Sequence, residues 1–258
     1  MIGIDFSNKT YVVTGGNKGL GNAIAKDVAR AGGNVVMLSR SEASAAADAI
    51  AKEFNVKAKS YQCDVGIESK VDETFAQIIK DFGEVAGVVC NAGVSVPKPA
   101  FEQNEETFDY IMKINVLGSF NIAKAAAKKW VETGYKKGSI VMIASMSSQI
   151  YNVQGPADPL RQVFYNASKA AVSSVAKGLA AEWIEHGIRV NIASPGFIKT
   201  DQTQGMDPKI LNAQSQLVPM KRFSEPSEQA SPVVFLLSEL ASYMTGSEVF
   251  VDGGFLIY

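Results

Sequence analysis

Short apolar, β-branched runs alternate along the chain with longer stretches whose apolar positions recur every three or four residues. The runs Thr10–Thr14, Asn34–Leu38, Ala58–Gln62, Ala86–Cys90, Ser139–Ala144, Arg189–Ala193 and Glu248–Val251 predict strands. The longer periodicity predicts helices near 20–31, 42–54, 67–82, 104–131, 164–186 and 226–238. Most of the strands are apolar almost throughout rather than alternating, the pattern of a parallel sheet covered on both faces. Strand–helix repetition of this kind predicts an α/β fold, with a doubly wound, seven-stranded parallel sheet flanked by helices on both faces. The polar stretches 151–162 and 199–222 each follow a predicted strand. They are expected over the carboxyl edge, where open α/β sheets bind ligands. The loops at about 146–163 and 199–222 are therefore candidates for substrate contact, with a solvated connector as the other reading.

Composition narrows the partners. The chain has 258 residues, 47% of them hydrophobic and 20% charged, which excludes a disordered chain and leaves enough apolar material for a sizeable core. One domain over 1–258 is the expectation. A net charge of -1 without a basic stripe argues against nucleic acid. The longest apolar runs, such as Val233–Leu237, are too short to span a bilayer. The first ten residues lack a cationic segment followed by an apolar one, and the last four match no retention or peroxisomal address, so a cytoplasmic location is expected. In that setting Cys63 and Cys90 read as buried thiols rather than a disulfide. A single histidine, His186, removes His-based triads and most zinc sites, and no metal is expected. It stands at a predicted helix end before Gly187, where a cation suits the helix dipole and a glycine suits the cap.

Candidate chemistry begins directly after the first strand. Gly15, Gly19 and Gly21 have the spacing Gly-x-x-x-Gly-x-Gly, with Asn17, Lys18 and Leu20 between them. Twenty-two glycines placed at random would give about 0.16 such spacings, so the context of strand before and helix after carries the weight. Gly15 permits a tight turn, Gly19 lets a pyrophosphate approach the backbone, and Gly21 lets the helix pack on the strand. The free N–H groups at the helix start then face the anion. A ligand-free βα turn is the competing reading. After the second strand, where an acid would bind the ribose hydroxyls of NAD, the chain reads Ser39-Arg40-Ser41, with no acid before Glu42. Arg40 can fork onto a 2′-phosphate, Ser39 and Ser41 can donate to it, and Lys18 adds charge. NADP(H) is the expected cofactor, against the alternative that Arg40 is a solvated loop charge.

Tyr165 and Lys169 lie four apart on a helical pattern and share one face. The fifth predicted strand ends in Ser145, which brings a hydroxyl to the same edge. A free tyrosine has a pKa of about 10. A neighbouring ammonium and a cationic nicotinamide would favour the phenolate, so that Tyr165 could exchange a proton with a carbonyl oxygen held by Ser145. Ser147 and Ser148 compete for the serine role. A surface tyrosine beside a solvated lysine is the reading without catalysis.

These residues together resemble the short-chain dehydrogenases/reductases over essentially the whole chain. The resemblance rests on Thr14–Gly21, Asp64-Val65, Asn91-Ala92-Gly93, Asn115, Ser145, Tyr165–Lys169, Pro195-Gly196 and Val251-Asp252-Gly253-Gly254. It implies a Rossmann fold and a catalytic tetrad of Asn115, Ser145, Tyr165 and Lys169, in which the asparagine holds a water and the lysine also binds the nicotinamide ribose. It places Asp64 and Val65 at the adenine and Asn91, Ala92 and Gly93 along the cofactor. Pro195, Gly196, Ile198 and Thr200 would meet the carboxamide and phosphates, and the usual assembly is a homotetramer. Ser145 precedes Tyr165 by twenty residues, a longer interval than in most relatives. The longer segment is similar to that of NADP-dependent mannitol 2-dehydrogenases and of sorbose and xylulose reductases. Its Gln149, Asn152 and Gln154 suit a polyhydroxylated substrate, with Ser145, Gln149, Asn152 and Tyr165 as candidate substrate contacts. The resulting expectation is an NADP(H)-dependent ketose reductase acting reversibly on a small carbonyl or polyol. A carbonyl reductase for less polar ketones or diketones, and a non-catalytic NADPH-binding module, are the alternatives.

Overall fold

A computed structural model describes residues 3–152, 160–200, 203, 205 and 207–257. Seven strands form one sheet: β1 (Thr10–Thr14), β2 (Asn34–Ser39), β3 (Ala58–Gln62), β4 (Val85–Cys90), β5 (Ser139–Ile143), β6 (Arg189–Pro195) and β7 (Glu248–Val251). Their order is β3-β2-β1-β4-β5-β6-β7 and every pairing is parallel. The chain works outward from β1 through β2 to β3 and then returns to lay β4 on the other side of β1. That reversal opens a crevice between the carboxyl ends of β1 and β4.

Eight helices connect the strands among the described residues: α1 (Gly19–Arg30), α2 (Ser44–Phe54), α3 (Glu68–Phe82), α4 (Glu105–Met112), α5 (Gly118–Thr133), α6 (Val163–Trp183), α7 (Pro208–Leu217) and α8 (Pro226–Leu237). Successive strand residues point to opposite faces, and that period divides the core in two. Val12, Val36, Val88, Ile140 and Ile192 pack with Phe75, Ile122, Trp130 and Val172 from α3, α5 and α6. Val13, Val35, Val89, Val141 and Ala193 pack with Ile24, Val28, Ile50 and Leu236 from α1, α2 and α8. Both faces are dry, which is why the central strands show continuous apolar runs. The edge strand β3 is only half-buried and reads accordingly as a mixed sequence.

Two expectations need correction. The stretch 104–131 is not one helix: α4 and α5 are separated by a π-helical turn at Lys113–Leu117. Periodicity alone cannot register one extra residue per turn, because the apolar stripe resumes almost in phase. The irregular stretch 199–222 contains α7, whose start is set by Asp207: its carboxylate accepts the Lys209 N–H at 2.8 Å, and Pro208 follows. Its polar composition concealed the helix.

Cys63 and Cys90 are buried free thiols. Gly187, with φ 73°, caps the turn that holds His186. Among the described residues, no helix is long and apolar enough to cross a membrane, and no group of three His, Cys, Asp or Glu is placed to hold a metal ion.

Trp130 closes the core at the amino end of the sheet. Its indole N–H donates to the Val85 carbonyl at 2.6 Å, and a side chain at Gly138 would strike its ring. Trp130→Ala is expected to lower unfolding free energy by about 3–5 kcal/mol in a urea titration; a loss below about 1 kcal/mol would show that the pocket collapses around the gap.

Candidate active site

The sheet supplies a ledge and its carboxyl-edge loops supply the groups. At the crevice, the Thr14 hydroxyl accepts the N–H groups of Asn91 and Ala92, both at 2.9 Å, and donates to the Val89 carbonyl at 3.3 Å. The Asn91 amide returns to the Thr14 carbonyl at 2.8 Å. Asn91 and Ala92 are thus fixed against β1. Gly15 turns away with φ +65°, and Gly21 lies so close to it that an added Cβ would sit 2.1 Å from the Gly15 carbonyl oxygen. Helix and turn can only meet there with a hydrogen as side chain. Gly19 has φ +54°, and a Cβ there would meet the Thr200 side chain at 3.6 Å. No side chain caps α1 and no acid stands in its first turn, so its free N–H groups are left for an anion. Asn17 and Leu20 are half-buried in this turn, and Lys18 is exposed beside it.

The loop after β2 is held from three sides. The Ser39 hydroxyl gives its one proton to the Ser41 carbonyl at 2.6 Å, so it shapes the turn instead of facing outward. The Gln62 amide donates to the Arg40 carbonyl at 2.8 Å, while the Arg40 and Ser41 side chains are exposed. After β3, Asp64 accepts the Gly66 N–H at 2.9 Å and Val65 is buried against Gly118. After β6, Pro195 is buried, Gly196 lies against Asp252, Ile198 pairs with Ser224, and the Thr200 N–H is taken by the Thr203 hydroxyl.

The four residues of the expected tetrad meet at the ends of β4, β5 and α6. Asn115 sits in the π-helical turn, 1% exposed. Its Oδ1 accepts the Val94 N–H at 2.7 Å, and its Nδ2 donates to the Val94 carbonyl and to the Ser168 hydroxyl, both at 2.9 Å. Ser168 then donates to the Tyr165 carbonyl at 2.7 Å. Asn115 therefore stitches the loop after β4 to the first turn of α6. Lys169 is 5% exposed; its ammonium donates to the Ile143 carbonyl at 2.8 Å and stands 5.6 Å from the centre of the Tyr165 ring. Burial pulls that ammonium down to about 8. Burial also raises the Tyr165 phenol, and the Ser145 hydroxyl, hydrogen-bonded to it, offsets part of the rise. Gly93 keeps the space beside Lys169 bare, since its Cβ would lie 3.3 Å from Asn115 Oδ1 and 3.5 Å from Lys169 Nζ.

Of the three serines after β5, only Ser145 reaches Tyr165. Ser147 gives its proton to Asn152 Oδ1 at 2.9 Å, and the Ser148 hydroxyl is buried without a partner among the described residues. Asn152 does not offer its carbonyl oxygen to a ligand: that atom is held by Ser147, by Gln162 at 3.1 Å and by Asn166 at 3.3 Å. Gln149 is exposed at the rim, and Gln154 lies outside the described residues. Ser168, Gln162 and Asn166 were not singled out by sequence, and they organise the site. Their only sequence signal is position, since each stands within three residues of Tyr165 on the same helix start.

The model of a protein family described as enoyl-(acyl carrier protein) reductase matches residues 15–256. An L-xylulose reductase of Ambrosiozyma monospora, described as NADH-dependent, is 36% identical over 97% of this chain and 96% of its own. Sorbose reductase of Schizosaccharomyces pombe is 36% identical over 96% of this chain and 95% of its own. A crystal structure of L-sorbose reductase from Gluconobacter frateurii with NADPH and L-sorbose superposes with a TM-score of 0.89, at 29% identity and full coverage of both chains. The chain belongs to the short-chain dehydrogenases/reductases. It is accordingly an oxidoreductase acting on CH–OH groups with a nicotinamide cofactor, and the uncapped α1, the left-handed turn at Gly19 and the bare floor at Gly93 fit such a group.

The buried lysine of this short-chain dehydrogenase/reductase makes a stability prediction. An unfolded lysine stays charged up to about 10.4, whereas folded Lys169 releases its proton near 8. Between those values the unfolded chain binds the extra proton, so stability rises with pH, and below 8 the full penalty of burying the charge is present. Lys169→Met is expected to stabilise the cofactor-free protein at pH 7 by up to about 3 kcal/mol, less the lost bond to Ile143, with the gain vanishing towards pH 10.5. Chemical unfolding of both proteins across that range is the check; a gain independent of pH would mean the ammonium is not desolvated.

Proposed function

We propose that this short-chain dehydrogenase/reductase interconverts a ketose and a polyol with NADP(H), of the fructose/mannitol, sorbose or xylulose type. The observation that carries the reading is the meeting of Ser145, Tyr165, Lys169 and Asn115 beside the uncapped glycine turn. A nicotinamide cofactor held there would supply or accept the hydride. In the reducing direction the Tyr165 phenol gives a proton to the carbonyl oxygen, and in oxidation it takes the proton back. Ser145 holds that oxygen by a hydrogen bond and so fixes the carbonyl against Tyr165. The Lys169 ammonium, desolvated and beside the ring, stabilises the phenolate form, and its bond to Ile143 keeps it in place. Asn115 keeps the loop of Gly93 and Val94 locked to the helix that carries both.

The relatives named above include xylulose and sorbose reductases, and a probable NADP-dependent mannitol dehydrogenase of Yarrowia lipolytica is 34% identical over 96% of this chain. They support the ketose class. The cationic loop at Arg40 supports NADP(H), although the xylulose reductase is described as NADH-dependent. Glu42, the first acid after β2, is drawn into capping α2: it accepts the N–H groups of Ala43 at 3.1 Å and Ser44 at 2.8 Å, together with the Ser44 hydroxyl. The chain is proposed to assemble as a homotetramer, which would cover the exposed apolar side chains Phe101, Phe108, Leu117, Phe235 and Tyr243. Light scattering behind a sizing column should give the mass of four chains, and a monomer would remove that part of the reading.

Purified protein is expected to consume NADPH with fructose, sorbose or xylulose and to leave NADH largely untouched. Preference for an apolar diketone would move the enzyme to the general carbonyl reductases. Tyr165→Phe should lower turnover by at least about 100-fold while NADPH binding persists. Unchanged turnover in that variant would remove Tyr165 from the chemistry.

A further inference from the structure

The loop after β2 meets α4 through one contact that the catalytic scheme does not use. Arg40 Nη1 donates to the Tyr110 hydroxyl at 3.3 Å, bridging residues seventy apart in the chain. The backbone of Arg40 is fixed by Gln62, its neighbour Ser41 by Ser39, and Glu42 by the start of α2. With that backbone fixed, the long Arg40 side chain, which is solvent-exposed, would otherwise sample many rotamers. Tyr110 itself is 38% exposed, and it lies on the helix that runs into the Asn115 turn, so its backbone is anchored.

We infer that Tyr110 is a specificity-determining residue for the cofactor: its hydroxyl holds the Arg40 guanidinium across the carboxyl edge and donates its own proton to the same 2′-phosphate. The inference rests on the NADP(H) reading above. A guanidinium has five N–H donors, and the contact with Tyr110 uses one, which leaves a pair for a bidentate grip on phosphate. The phenol accepts from Arg40 and so keeps its O–H free as a donor. A 2′-hydroxyl offers neither the charge nor the three acceptor oxygens that this pair would engage. Glu42 keeps its charge, but its carboxylate is turned to the start of α2, where the Ala43 and Ser44 N–H groups and the Ser44 hydroxyl hold it, so it does not pair with Arg40. Tyr110 is thus a positioning group for Arg40 and a second, weaker contact to the ligand.

The test is binding of NADPH, NADH, 2′,5′-ADP and 5′-AMP to the enzyme alone, by calorimetry, in Tyr110→Phe, Arg40→Ala and the double variant. Tyr110→Phe keeps the ring, and its melting temperature serves as a folding control. It is expected to weaken NADPH and 2′,5′-ADP by about three- to tenfold, with NADH and 5′-AMP unchanged. Arg40→Ala should weaken the same two ligands by more, and adding Tyr110→Phe to it should cost much less than in the parent. Equal losses for phosphorylated and unphosphorylated ligands in Tyr110→Phe, or no loss at all, would overturn the role of Tyr110 while a selective Arg40→Ala leaves the NADP(H) reading standing. An unselective Arg40→Ala would overturn both.

Discussion

The Thr14 hydroxyl is the fixed point of the molecule's working edge. It is buried, and both of its lone pairs and its proton are used: two backbone N–H groups from the loop after β4 arrive, and one carbonyl of β4 receives. A hydroxyl can satisfy no more than this. A parallel pair of strands would normally splay where its ladder ends, because the next residues head for different helices. Here the splay is closed on one side and opened on the other. Gly15 is then free to turn towards α1, while Asn91 and Ala92 stay with the sheet. Replacing such a hydroxyl by a methyl would strand two buried donors, each costing about 1–3 kcal/mol. The glycine turn lies close against that fixed wall: a Cβ added at Gly15 or Gly21 would fall 2.9 or 2.6 Å from the Asn91 amide nitrogen.

From this point, order passes to the reacting groups through one loop. Residues 91–94 are pinned to β1 at one end by Thr14 and to the π-helical turn at the other by Asn115. Asn115 in turn reaches α6 through Ser168. The extra residue of the π-helical turn belongs to this linkage: it lets the side chain of Asn115 face Val94 while its carbonyl accepts the Ser119 hydroxyl at 2.7 Å. Lys169 is the costly member of the arrangement. Its charge is held nearly dry with one protein acceptor, and the depressed pKa expresses that cost. Such an ammonium is a strong local field on the neighbouring ring, because little water is present to screen it.

Strand positions and the parallel, doubly wound sheet were legible in the chain because burial on both sheet faces leaves a coarse, redundant signal spread over many residues. Val12, Val36 and Ile140 could each be changed and the pattern would survive. Tyr165, Lys169 and Ser145 were legible for a different reason: their spacing along α6 and at the end of β5 is local, whereas Asn115 came only with the family resemblance. What escaped were features set by one or two hydrogen bonds. The π-helical turn leaves the apolar stripe nearly intact, so 104–131 read as one helix. Start residues such as Asp207 look like ordinary loop polarity until the backbone they cap is seen. Asn152 carries the same lesson: it reads as a substrate contact, yet its carbonyl oxygen is committed within the protein. A polar residue near a site has two uses, and sequence does not separate them.

That distinction bears on what the polar residues around Tyr165 do. Asn152, Gln162, Asn166, Ser147 and Ser95 form a single hydrogen-bonded chain beneath the loop after β5, with Gln162 accepting the Ser95 hydroxyl at 3.1 Å. Asn166 further ties the carbonyls of Ser147 and Ile150 to the start of α6. Most of these donors are spent inside the protein, so their contribution to selectivity is indirect. Ser147 links them to the reacting groups, its N–H donating to the Ser145 hydroxyl at 3.1 Å. A carbonyl misplaced at Ser145 and Tyr165 would forfeit hydrogen bonds there, because leaving a buried donor unpaired costs more than a new hydrogen bond elsewhere returns.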